Sequence, residues 1–295
     1  MRFSTPHLKA IAWVFVAIVS FTVVAIAVRE LSDHMHAVEI LFIRSAVGVL
    51  VLLPVFAVRG WRELRTPSPA GHLLRNGIHF AGQVFWIWGI ALLPLATVSA
   101  IEFTTPIWAA FLAVLALGER MNRGRWVALG LGFLGILVIL QPGAGVVSAG
   151  ALIMLACAFC FGATAAVTKW LTVRESALAI LFYMVLMQTV LGGVASIFLW
   201  SPVGAADVLP LLAVALAGLS AHYGLTRALA LADATFVMPL EFLRLPFMAV
   251  AGFLLYAEPF DPAVILGAVL IFSGNYYSLR REGREATPAT AGQNR

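Results

Sequence analysis

Two stretches of this chain repeat one another, and each places a carboxylate inside an apolar run. Ala96-Thr-Val-Ser-Ala-Ile-Glu102-Phe-Thr-Thr-Pro106 leads through apolar residues to Gly118-Glu119, and Ala234-Thr-Phe-Val-Met-Pro-Leu-Glu241-Phe-Leu-Arg244-Leu-Pro246 leads in the same way to Ala257-Glu258. A shift of 139 residues lays Glu102-Phe103 on Glu241-Phe242 and Glu119 on Glu258. A charge near the centre of a bilayer costs at least about 3 kcal/mol, so such an acid faces a partner, a cavity or a substrate.

The runs around these acids belong to a membrane. With 62% hydrophobic and 11% charged residues over 295 positions, the chain has too little polar surface for a soluble globule. Charge-free runs follow one another with short connections such as Thr66-Pro-Ser-Pro69 and Gln141-Pro-Gly-Ala-Gly145, and they predict ten transmembrane helices. These fall at 9–28, 37–58, 71–93, 97–117, 125–140, 149–168, 176–199, 208–229, 234–257 and 262–279. The basic residues are scattered over short loops and form no nucleic-acid patch; their partner is the lipid interface. Cys157 and Cys160 lie in one apolar run and are expected as small packing side chains rather than a redox pair. The N-terminal basic segment and first apolar run lack a cleavage site and are expected as a retained first helix.

Orientation follows from charge. With the N-terminus inside, fifteen of the nineteen Lys and Arg fall on the cytoplasmic side and only Arg29 on the other, which predicts cytoplasmic termini in the inner membrane. Five spans per repeat is an odd number, so the second repeat must run upside down relative to the first. The expected fold is an all-α integral membrane bundle of two inverted five-helix repeats, at 8–140 and 149–280, with a disordered cytoplasmic tail at 281–295. Such repeats give a transporter two related conformations around a site near the midplane.

Two five-helix repeats, each closing its fourth helix with Gly118-Glu119 or Ala257-Glu258 and each carrying an interior proline, resemble the EamA-type members of the drug/metabolite transporter superfamily. The resemblance covers about 8–280. It implies ten helices and a central cavity lined mainly by the third, fourth, eighth and ninth helices. It also implies a cargo among amino acids, amines, nucleotide-like metabolites and vitamins.

The candidate site residues are Glu102, His79, Gln83, Trp86, His222, Tyr223 and Glu241. Glu102 is either the partner of a substrate amine or of a coupling proton, or one half of a structural ion pair. Arg244 follows Glu241 by three residues, on one face of a continuous helix, and is expected to neutralise it. Arg44 could pair with Glu39, snorkel outward or reach an anionic group, and structural pairing is expected. His72, Arg75, Asn76, His79 and Gln83 recur at i, i+3, i+4, i+7 and i+11, which sets them on one helical face. That face either packs on other helices or lines a cytoplasmic vestibule with His222 and Tyr223. Trp86 continues it, whereas Trp108 points away from Glu102. Gly130-Leu-Gly132-Phe-Leu-Gly135 matches the dinucleotide fingerprint but has no preceding strand, and is read as close helix packing. No phosphate loop or metal-ligand spacing appears, so neither cofactor nor enzyme chemistry is expected. The reading is a secondary transporter of a small polar or zwitterionic metabolite, an amino acid or amine, working by alternating access. The alternative is a vitamin or nucleoside-like carrier of the riboflavin or S-adenosylmethionine uptake type, and a membrane-embedded enzyme is the more distant one.

Overall fold

The computed structural model describes residues 5–117, 123–141, 148–172, 175–231 and 240–286. Among these there is no strand. The helices are α1 (Thr5–Leu31), α2 (Ala37–Arg59), α3 (Pro69–Leu92), α4 (Leu95–Glu102), α5 (Thr105–Leu117) and α6 (Arg123–Leu140) in the first repeat. The second holds α7 (Ala149–Thr172), α8 (Ala177–Leu199), α9 (Val208–Leu231), α10 (Arg244–Tyr256) and α11 (Pro262–Ala286). Five of the helical stretches, lying in α1, α2, α7, α8 and the Ala205–Leu225 segment, are long and apolar enough to cross a membrane. The expected tail from 281 begins as helix, because α11 continues to Ala286; the rest of it, 287–295, and Glu119 lie outside the described residues.

Local chemistry sets the ends. Ser176 caps α8 through its side chain, which accepts from Ala179 N at 3.1 Å, and Pro69 opens α3 where its missing N–H costs nothing. Glu39 Oε2 accepts from His36 N at 2.9 Å at the start of α2, and Oε1 accepts from Ser201 N across the bundle.

The spans around Glu102 and Glu241 depart from the expected continuous helices. The first breaks at Phe103-Thr104 and the second at Phe242-Leu243, in each case directly after the acid. Pro106 and Pro246 supply the cause. A proline ring clashes with the carbonyl four residues back, here that of Glu102 or Phe242, and donates no hydrogen bond. The carbonyls released by the first break find other donors. Thr104 Oγ1 donates to Ile101 O at 2.8 Å, and Asn275 Nδ2 of α11 donates to Phe103 O at 3.1 Å.

Packing follows an approximate two-fold axis. α1 packs on α9 as α3 packs on α7, and exchanging the repeats turns one pair into the other. α2 on α8 and α6 on α11 each map onto themselves. The second of these shows it atom by atom: a Cβ on Gly135 would stand 2.6–2.7 Å from Ile271 Cγ1 and Gly267 O, while Gly274 faces Ala128. Under the 139-residue shift Gly135 becomes Gly274 and Ala128 becomes Gly267, so the two contacts are exchanged by the symmetry. Two glycines of the fingerprint-like run therefore serve close approach, Gly135 here and Gly132 against Ile107, while Gly130 faces open space.

α3 inverts the amphipathicity of a soluble helix. His72, Arg75, Asn76, His79 and Gln83 are buried, and Leu73, Leu74 and Trp88 are exposed. A lipid-facing polar stripe would leave its groups unsatisfied, so this arrangement is the one a bilayer permits.

Candidate functional site

At the crossing of the two broken spans, Glu102 is held at both oxygens. Arg244 Nη2 donates to Oε1 at 2.9 Å and Trp86 Nε1 donates to Oε2 at 2.9 Å. Aromatic rings surround the pair. The Arg244 guanidinium lies 5.1 Å from the Phe21 ring and 5.2 Å from that of Phe103. Phe103 and Phe242, equivalent residues of the two repeats, meet at 4.3 Å between ring centroids, and Phe272 closes on Phe242 at 4.8 Å.

Arg244 thus serves the acid of the other repeat rather than its own neighbour Glu241. The i, i+3 rule presumes an unbroken helix, and the break at Phe242-Leu243 removes that premise. Glu241 Oε1 is buried without a hydrogen-bond partner among the described residues, and so is Arg244 Nε.

One turn along α3 lies a second polar group. Arg44 Nη2 donates to Gln83 Oε1 and to Gln188 Oε1, each at 3.1 Å, and Ser45 Oγ donates to Gln188 Oε1 at 3.3 Å. Gln188 Nε2 meets His79 Nδ1 at 2.9 Å. Arg44 therefore does not pair with Glu39, whose oxygens are committed to the backbone at the start of α2 and at Ser201. Beside it, between α2, α8 and α9, is a small cavity of about 20 Å³, room for a single water, lined by Arg44, Ser45, Gly218 and His222 among others.

The rest of the stripe packs on α7 and α8 instead of opening to a vestibule. Arg75 donates to Thr168 Oγ1 at 3.1 Å and to Asn76 Oδ1 at 2.7 Å, and His72 lies 3.5 Å from Glu175. His222 reaches the cavity, with its ring edge-on to Phe21 at 5.6 Å. Tyr223 stands apart, exposed and edge-on to Trp13 at 5.6 Å. Trp108 turns to Phe159, and both cysteines are free thiols.

At one end of the bundle Arg29 ties three elements together. Its Nη1 donates to Leu93 O at 2.9 Å and to Ile90 O, and its Nη2 pairs with Glu258 Oε1 at 2.9 Å. Glu258 Oε2 accepts from Leu95 N at 2.8 Å, so α1, the α3–α4 turn and the end of α10 are joined.

Sequence reasoning missed Gln188 and Asn275, the amides that satisfy Arg44 and Phe103 O. Their signal was a lone amide in an otherwise apolar run.

Inverted repeats with broken helices crossing at midspan around buried charge define a membrane transporter rather than an enzyme. The chain belongs to the EamA-like transporter family, which matches residues 8–141 and again 148–280. It is 26% identical to the S-adenosylmethionine uptake transporter of Rickettsia prowazekii over 94% of both chains. It is 33% identical to the riboflavin transporter of Rhizobium johnstonii over 94% of this chain and 93% of that one. The pseudopaline exporter of Pseudomonas aeruginosa is 31% identical over 85% of this chain and 89% of that one. A solved structure known as the crystal structure of a protein shares the fold, with a TM-score of 0.63 and 17% identity over 94% of this chain and 98% of its own.

Proposed function

We propose that this metabolite transporter carries a planar, nucleoside-like or vitamin-type molecule bearing a cationic centre, with Glu241 as the cation's partner. One observation carries the reading: a buried oxygen of Glu241 that has no partner among the described residues, beside the aromatic rings at the helix breaks. Glu102 is already engaged by Arg244 and Trp86, which makes it a poor partner for a free amine. Rings reward a flat substrate by stacking and by cation–π attraction, and an aliphatic amino acid would make little use of them. The names of the relatives that carry S-adenosylmethionine support the same class, and those that carry riboflavin, a neutral molecule, support its flat ring. The site is then Glu241, Glu102 and Trp86, with His79, Gln83 and His222 one turn away, and Tyr223 at its margin.

In this reading the repeats at 8–140 and 149–280 rock between two states in the cytoplasmic membrane, both termini are cytoplasmic, and Glu241 takes up a proton when the cargo leaves. The Lys and Arg asymmetry supports the orientation. A reporter fused after Arg295 should be cytoplasmic, and a periplasmic signal would reverse it. The substrate class is tested by counterflow in proteoliposomes. Saturable exchange of S-adenosylmethionine is expected, and exchange of leucine or putrescine, or of neutral riboflavin, without S-adenosylmethionine would defeat the proposal.

A further inference from the structure

The charged interior is divided in two: the acids at the helix breaks stand apart from a basic group along α3, where Glu175 faces His72 rather than a guanidinium. Around the helix breaks stand Glu102, Glu241 and Arg244, which carry one negative charge in excess when ionised. One turn toward the start of α3 stands Arg44, held by Gln83, and about two turns further stands Arg75, with the imidazoles of His79 and His222 in their field. Neither guanidinium has a carboxylate partner among the described residues; both are met by amides and a hydroxyl. Neutral carbonyls do not cancel a cation at membrane depth, and an intramembrane charge held without a counter-charge marks a binding function.

The donors of Arg44 are also incompletely used. A guanidinium offers five N–H groups, and here both hydrogen bonds leave from Nη2, while Nε and Nη1 make none among the described residues. Arg44 lines the small cavity with Ser45, a hydroxyl donor, and with His222. Gly218 keeps that space open: a Cβ there would meet nothing nearer than Arg44 Cδ at 3.9 Å.

We propose that Arg44, at the edge of this cavity, is the principal partner of the anionic group, a carboxylate or a phosphate, of the carried metabolite. The inference rests on the substrate class proposed above and extends it. Gln83 accepts from Arg44, and Trp86, three residues on, donates to Glu102. That spacing is about 4.5 Å along α3. A cargo whose cation lies at Glu241, in the field of Glu102, would extend its anionic arm along α3 toward Arg44. The site selects a zwitterion with a flat ring, and the anion supplies the missing counter-charge.

The test uses the purified full chain in lipid nanodiscs and three pairs of ligands that differ by the anion. These are S-adenosylmethionine with its decarboxylated analogue, flavin mononucleotide with riboflavin, and leucine with leucinamide. In whichever pair binds, the anionic member should bind roughly tenfold or more tightly, the worth of a charged hydrogen bond. Arg44→Gln should erase that advantage and leave the affinity of the other member within about twofold, and Arg44→Lys should keep part of it. Gly218→Val retains the charge and fills the cavity, and should erase the advantage as well, which covers the case of an Arg44→Gln protein that does not fold. The first two pairs separate carboxylate from phosphate. Equal binding within every bound pair, or an anionic preference that survives both Arg44→Gln and Gly218→Val, overturns the site while leaving the planar-substrate reading intact. Binding of the leucine pair alone overturns the planar-substrate reading, and the anion site is then judged on that pair. Binding of none of the six compounds overturns both.

Discussion

Glu102 and Glu241 occupy the same place in the two repeats, each the last helical residue before a break, and their surroundings are opposite. Glu102 is satisfied at both oxygens by residues from α3 and α10, whereas Glu241 has a buried oxygen with no partner among the described residues. The difference lies in the two partners, since the counterpart of Trp86 is Leu225. Under the 139-residue shift the counterpart of Arg244 is Thr105, so the first repeat has no cation to return to the second. Equivalent residues in a duplicated fold can thus divide two tasks, one bracing the crossing and the other left for cargo.

The largest effect should come from the braced acid. Glu102→Gln leaves Arg244 buried without its counter-charge, and removal of one member of a buried pair costs about 3–5 kcal/mol. Melting temperature and abundance should fall together, and Glu102→Gln/Arg244→Gln should recover much of the loss. A single variant that melts normally would erase the contrast between the acids.

Glu241→Gln should do the reverse. No ion pair is broken, so the protein should melt at or above the wild-type temperature. Counterflow should fall roughly 10- to 100-fold, because a charged contact is worth about 1.5–3 kcal/mol. Normal flux in this variant would remove Glu241 from the site.

Glycine substitutions carry the comparison to the α6–α11 seam. Gly135→Ala brings a Cβ to within 2.7 Å of Gly267 O, but its counterpart Gly274→Ala meets Ala128 and Leu131 at 3.0–3.2 Å. The first should cost about 1–3 kcal/mol by overpacking and the second less. Equal losses would mean that the seam is more symmetric than its contacts.

The smallest effect is expected at Arg29, which is partly exposed. Arg29→Gln should lower stability by about 1–2 kcal/mol and speed thiol labelling of a cysteine introduced at Leu93. Unchanged labelling would show that the tie between α1 and α10 does not hold that end closed.

Much of the frame could be read from residues alone. The repeat, the span count and the inward face of α3 are periodic features, and lipid enforces them because polar backbone and side chains have no solvent outside. Partners were harder. Glu241 and Arg244 looked like neighbours because spacing assumes a continuous helix, yet Pro106 and Pro246 were the visible reason that it is not continuous. The link from Arg44 to Gln188 spans 144 residues, and no local pattern reports it. Tyr223 follows His222 in the chain, but consecutive helical residues diverge by about 100°, which takes the tyrosine out to the exposed side.

At the crossing of α6 and α11 no side chain separates the two backbones. A contact of that kind has no slack to slide or to swallow a rotamer change, since packed interiors do not deform continuously. The two helices come one from each repeat, and they behave as an axle pressed into its bearing. In the rocking proposed above, this line is the natural axis of turning. A methyl group at the axle, far from any cargo, would therefore be felt as slower turnover.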